Sequence, residues 1–348
     1  MNRLLVSYLA YSVSLPKFNG HTTVRIQPPS RHESIERACL GRLGWPGRGL
    51  IVLLACLAGC QSGPPGTALQ TTGSQTAVFQ PMSLQLDPTL ANPSSHPLLA
   101  PLTPSNDRNW KTVQARLARA EFKGDHVTVR DIRNFRHLAD DQHEIDYYDK
   151  KFDLDAIRSV DFVVVPFAGA PNMAHTMLSF GFEGGEHVVL SVEARYEQDE
   201  TYNPVLGLMN QYELIYVLGD ERDLIQLRTN VWLNDVYIYP AKATPPQVRE
   251  LFVDVLRRAN QLAERPEFYN TLTNNCTTNI VDHINRLVPN RVPLDQRILL
   301  NGQSDRLAYE LGLLDADRSF EETKAAARIN YLAYLYRDSA DFSTLIRR

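Results

Sequence analysis

A thiol and an imidazole in this chain have the types and settings for nucleophilic chemistry: Cys276 and His175. Cys39 and Cys56 lie upstream of a processing site argued below, and Cys60 is consumed there. Cys276 is then the one free thiol of the processed chain. An unpaired cysteine outside the cytoplasm is open to oxidation and mispairing, so its presence points to a use. It stands in Thr273-Asn274-Asn275-Cys276-Thr277-Thr278, turn and capping residues around a predicted helix start. Unpartnered backbone N–H groups and the positive end of the helix dipole lower a thiol pKa there and can hold an oxyanion. Asn275 and Asn274 are the side chains placed to help. The other reading of Cys276 is a small buried hydrophobe sharing a face with Ile280 and Ile284.

A cysteine nucleophile needs a base within hydrogen-bond reach. His283 lies two helical turns further on, about 10 Å away, and reads as structural. His126, His137 and His143 have polar, acidic neighbours and read as surface residues. His175 follows the loop Gly169-Ala170-Pro171-Asn172 and opens the strand Thr176-Met177-Leu178-Ser179-Phe180, a strand mouth that can meet the tip of a packed helix. A tight turn at Gly184-Gly185 then sets Glu193 or Ala194 opposite His175. Glu193 is the expected carboxylate that orients the imidazole, with His187 as runner-up near Phe182 at the far end of the hairpin. The alternative for Glu193 is an exposed strand carboxylate paired with Arg195.

The elements that must position these groups come from pattern. Val127–Val129, Phe162–Phe167, His175–Phe182, His187–Val192, Leu214–Leu218 and Val236–Pro240 read as strands. Thr244-Pro245-Pro246 opens a helix in the order N-cap then proline, and Val248, Leu251, Phe252, Val255, Leu256, Ala259 and Leu262 fall on one face. A second helix starts at Cys276, and residues 304–314 and 320–346 read as helical. The predicted class is α+β, an antiparallel sheet packed by helices.

Upstream, Arg48-Gly49-Leu50-Ile51-Val52-Leu53-Leu54-Ala55-Cys56 is a basic flank and an apolar run of signal-peptide length, too short for the ~20 residues of a spanning helix. It closes on Leu57-Ala58-Gly59-Cys60, which resembles a bacterial lipobox and implies diacylglyceryl transfer to Cys60 with cleavage before it. Roughly 40 residues precede the basic flank, as if the true start were further downstream. Gln61, where an inner-membrane retention signal would show Asp, favours the outer membrane, with the protein facing the periplasm. Residues 61–105 hold eight prolines and one acidic residue, Asp87, the composition of an extended tether. The expected organisation is therefore 1–59 extension and signal, 60–105 lipidated cysteine and tether, and 106–348 folded domain.

Charge excludes other classes. Residues 1–59 carry seven basic and two acidic side chains, which leaves 29 basic against 38 acidic groups in the rest. A chain that acidic, without a basic run, is a poor nucleic-acid binder. Four cysteines without zinc spacing make neither a structural metal site nor a disulfide framework. The proposed chemistry needs no cofactor.

Histidine on a strand before cysteine at a helix start resembles the permuted order of NlpC/P60, papain-like folds. The text is closer to the Lnb N-terminal periplasmic domain family. The blocks that carry the resemblance include Val129-Arg130-Asp131-Ile132-Arg133-Asn134-Phe135, Ala174-His175-Thr176-Met177-Leu178-Ser179-Phe180, Ser191-Val192-Glu193-Ala194-Arg195, Gln211-Tyr212-Glu213-Leu214-Ile215-Tyr216 and Thr273-Asn274-Asn275-Cys276-Thr277-Thr278. Coverage runs from about residue 108 onward. The resemblance implies lipoprotein intramolecular transacylation, in which an sn-2 acyl chain moves from a diacylglyceryl-cysteine onto that cysteine's own α-amino group. Cys276 would attack the ester, His175 would take the thiol proton, and Arg195 and Arg228 would contact the headgroup. The expected partners are a lipoprotein or lipid substrate and the membrane reached through Cys60. Two rival readings stand beside it: a cell-wall amidase or endopeptidase, and a lipid-tethered binding or assembly module without catalysis.

Overall fold

The computed structural model describes residues 103–138 and 142–348, all within one unit, Phe79–Arg348. The signal, lipobox and most of the tether lie outside the described residues. The strands are β1 (Arg119–Lys123), β2 (His126–Arg133), β3 (Arg136–His137), β4 (His143–Glu144), β5 (Tyr147–Asp153), β6 (Ile157–Phe167), β7 (Ala170–Phe182), β8 (His187–Arg195), β9 (Glu213–Asp220) and β10 (Tyr237–Pro240). The helices are α1 (Pro204–Leu208), α2 (Glu221–Gln226), α3 (Pro245–Glu264), α4 (Cys276–Leu287), α5 (Gln296–Leu299), α6 (Ser304–Glu310), α7 (Phe320–Ala327), α8 (Asn330–Leu335) and α9 (Phe342–Leu345).

Eight strands form one sheet in the order β1-β2-β9-β8-β7-β6-β10, with β5 also on β2. The class is α+β as expected, but the sheet is mixed rather than antiparallel, because β2 meets β9 in parallel at Arg133↔Gly219. Both faces are covered. Leu178, Phe180, Leu190, Leu214 and Tyr216 face α3 and α4. Met177, Val189, Ile215 and Val217 face α2, α8 and α9. Burial on two sides explains why Leu214–Leu218 is a continuous apolar run instead of an alternating one.

Local chemistry sets the helix ends. Thr244 N–H donates to Gln247 Oε1 at 2.9 Å, Pro245 and Pro246 open α3, and its seven predicted face residues are all buried. The expected helix over 304–314 stops at Glu310. Gly312 takes φ +63°, and Lys242 N–H then bonds Leu313 O, which returns the chain to the sheet side. The run 320–346 is three short helices. Arg328 is extended and bridges Tyr237, and Ile329 N–H bonds Val236 O, so pairing with the sheet edge interrupts the helix. Near the end of the chain Arg347 reaches the buried Asp161, Glu221 and Ser179, tying α9 to β6, β7 and α2.

Candidate active site

Cys276 is the first residue of α4, and its N-cap is Asn275. Asn275 Oδ1 accepts from Thr278 N–H at 2.9 Å, and Thr278 Oγ1 accepts from Asn275 N–H at 2.8 Å. This reciprocal cap fixes the helix entry. Asn275 Nδ2 donates to Thr271 O, and Asn274 Nδ2 donates to Phe268 O. Both expected oxyanion side chains thus spend an amide hydrogen on building the turn.

The thiol is 5% exposed and sits in a polar lining. Its Sγ lies 3.9 Å from Ala174 O, 3.9 Å from Thr277 Oγ1 and 3.5 Å from Asn301 Nδ2. Asn301 is held at both ends. Ala174 N–H donates to its Oδ1 at 2.8 Å, and its Nδ2 donates to Thr277 Oγ1 at 2.7 Å. Thr277 Oγ1 in turn pairs with Thr176 Oγ1 at 3.0 Å. Next to Asn301, Gly302 packs so tightly on the start of β7 that a Cβ would stand 2.3 Å from Pro171 O. The Asn301–Gln303 turn covers the thiol because only glycine permits that approach.

His175 belongs to the same end of β7. Its Nε2 is 2.8 Å from Ser191 Oγ, and Ser191 Oγ donates to Glu193 Oε1 at 2.6 Å. Glu193 also accepts from Gln114 Nε2 at 3.0 Å and from Arg228 Nη2 at 3.3 Å. Burial opposes the Glu193 charge, yet Arg228, Arg133, His175 and the Ser191 hydroxyl together hold its pKa down at about 2. Burial, helped by Arg228 and opposed by Glu193, brings His175 down to about 3. The imidazole is neutral and the carboxylate ionised at neutral pH. Since the Ser191 proton goes to the carboxylate, Ser191 Oγ accepts from Nε2–H, and the basic lone pair of His175 is on Nδ1.

The predicted partners are thus neighbours along β7 without touching. Ala174 and Thr176 contact the thiol's surroundings on the α4 face, and strand alternation turns His175 to the other face with Met177. β7 and β8 pair from Gly181↔His187 to Met177↔Ser191 and then part. Among the described residues no hydrogen bond joins His175 to Cys276. The same register, run two residues further, sets His175 against Glu193 as expected, with Ser191 interposed.

Other expectations are corrected. Arg195 is 1% exposed, and its three nitrogens donate to Gln114 O, Asn106 Oδ1 and Ala115 O while it stacks over Trp110. It clamps the segment before β1. Arg228 is buried on Leu224 O and Glu193. Both had the charge for substrate, but pattern alone did not reveal the internal carbonyls and carboxylate that claim them. His187 pairs with Gly181, with Nδ1 3.1 Å from Gly185 O, away from this site. His137 is no surface residue: its Nε2 lies 2.8 Å from the buried Asp223, which Arg133 also grips. His283 is buried between Asp254 and Tyr216.

Sequence reasoning missed Ser191, Gln114 and Asn301. Ser191 carried a signal, since two residues from Glu193 on a strand means the same face. Gln114 and Asn301 lie far off in the chain, in short 3-10 turns with no motif.

No curated protein and no solved structure matches the chain. No described helix is long and apolar enough to cross a membrane. Residues 144–302, which hold His175, Ser191, Glu193, Cys276 and Asn301, match the family model of the Lnb N-terminal periplasmic domain.

Proposed function

We propose that this periplasmic domain is a thiol-dependent acyltransferase or acyl hydrolase acting on lipidated substrates. The observation that carries the reading is the Glu193–Ser191–His175 relay, which fixes the imidazole tautomer next to Ala174, the residue whose carbonyl touches Cys276. On this reading His175 Nδ1 takes the thiol proton and Cys276 sulfur attacks an ester carbonyl. The ester C–O bond breaks, the alcohol leaves with a proton, and an acyl-thioester remains for an amine or water to collect. His175 and Cys276 lie on opposite faces of β7, so this transfer requires the start of β7, which is unpaired with β8 before Met177, to turn when substrate binds. The arrangement would be the permuted papain-like one, held at the outer membrane by a lipid on Cys60.

The second reading is a non-catalytic, tethered binding module. It is favoured by the covered thiol and by the lack of a direct His175–Cys276 hydrogen bond. The test is to express Cys276→Ala and His175→Ala and weigh the N-terminal peptide of a reporter lipoprotein. The acyl-transfer reading expects both variants to lose a change in acylation that wild type makes. An acylation pattern identical in wild type and variants, with full complementation of a deletion strain, favours the module. Peptide release from purified sacculi by wild type would point instead to cell-wall cleavage.

A further inference from the structure

We infer that Asn301, rather than Asn274 or Asn275, is the side-chain donor of an oxyanion hole at Cys276. The inference rests on the acyl-transfer reading and deepens it. Three hydrogen bonds fix the orientation of the Asn301 amide. Ala174 N–H can bond only the carbonyl oxygen, so Oδ1 faces β7 and Nδ2 faces α4. One Nδ2 hydrogen goes to Thr277 Oγ1 at 2.7 Å, and the other is the one directed at Sγ, 3.5 Å away. Asn301 is 5% exposed, so its donor is desolvated and preset. A donor so placed next to the attacking sulfur reaches the oxygen of a carbonyl bonded to that sulfur, and needs no reorganisation when charge develops.

The second donor is the backbone N–H of Cys276, a first-turn amide that no intrahelical carbonyl reaches. The two converge from different elements, the helix start and the Asn301–Gln303 turn. In the step they serve, the sulfur lone pair forms the C–S bond and the carbonyl π pair moves onto oxygen. That pair returns as the C–O bond to the leaving alcohol breaks. Asn301 gains its charged partner only during this passage, so it lowers the barrier to acylation more than that of a reaction that makes no oxyanion. There it acts only through its contact with the sulfur.

That contrast supplies the experiment. The full chain is treated with p-nitrophenyl butyrate and, separately, with iodoacetamide, and each rate is read from the mass of the Cys276-bearing peptide. Butyrylation passes through an oxyanion and alkylation does not. Asn301→Ala is expected to slow butyrylation about 100-fold or more while alkylation changes far less. Asn301→Asp keeps the acceptor for Ala174 N–H and the side-chain volume, and serves if the alanine variant does not fold. Its ratio of butyrylation to alkylation is expected to fall likewise. A wild-type ratio in either folded variant overturns the assignment. Wild-type protein that is alkylated but never butyrylated fails differently, removing the acyl-transfer reading and the assignment with it.

Discussion

Ser191 stands between two groups that the hairpin register would otherwise set side by side, and its single proton determines which nitrogen of His175 is basic. Ser191→Ala leaves His175 Nε2 without its acceptor, and takes one acceptor from Arg228 Nη2 and one donor from Glu193. It is expected to cost about 1–3 kcal/mol in urea unfolding, the range for a buried polar group left unpaired. It should also slow butyrylation of Cys276 at least tenfold while the thiol stays alkylatable. The pH profile is a second check. His175 is held neutral with a pKa of about 3, whereas an unfolded histidine takes a proton near 6.5. The unfolded chain therefore binds more protons between those values, and stability falls as pH drops from about 6.5 toward 3. His175→Gln should lose less stability than wild type between pH 7 and 5, with a remainder from His187 and His283, which burial also shifts down. Equal losses would contradict the buried neutral imidazole. At this scale Cys276, His175 and Glu193 were legible because each announces itself locally, by an N-cap motif, a strand mouth and a hairpin register. The face each side chain takes was not legible, so the placing of His175 and Cys276 on opposite faces of β7 came only with the structure.

Between elements, the decisive contact is the Asn301–Gln303 turn seated on the first residues of β7. Gly302→Ala would drive a methyl group into the Pro171 and Asn172 backbone, which cannot yield as a flexible side chain would. The expected cost is about 1–3 kcal/mol, the usual range for overpacking. Displacing the turn should also raise the iodoacetamide rate at Cys276 severalfold, because the cover lifts from the thiol. A stable variant with an unchanged rate would mean that the turn does not gate access. Asn275→Ala removes the cap of α4 and is expected to lower stability by about 0.5–2 kcal/mol by thermal melting. Helix starts at Thr244 and Asn275 could be read because capping chemistry is short-range. The break at Arg328-Ile329 could not, since it is imposed by the distant strand β10 and not by propensity.

At the scale of the whole described unit, Arg347 clamps the sheet to the helix that follows β9. Arg347 ion-pairs with Asp161 on β6 and Glu221 at the start of α2, both nearly fully buried. Arg347→Met leaves two buried carboxylates without their cation, and about 3–5 kcal/mol of stability should go with it. Burial opposes the Glu221 charge, but Arg347 outweighs it and holds the pKa at about 2 in the fold. That contribution is complete above about pH 4.5 and fades as pH falls toward 2, so the gap between wild type and variant should narrow on acidification. A constant gap in urea midpoints from pH 7 to 3 would show that the guanidinium acts by packing alone. The mixed character of the sheet was hidden from pattern because one residue pair, Arg133↔Gly219, creates it. Since Arg347 follows every described strand, its clamp also carries a timing. A chain emerging from its N-terminus can pair β6 with β7 and β8 early, but the acids on β6 and α2 have no cation to bury against until the last helix has emerged. Locking of that face therefore waits for residue 347, and a nascent chain stalled before it should stay open to proteases.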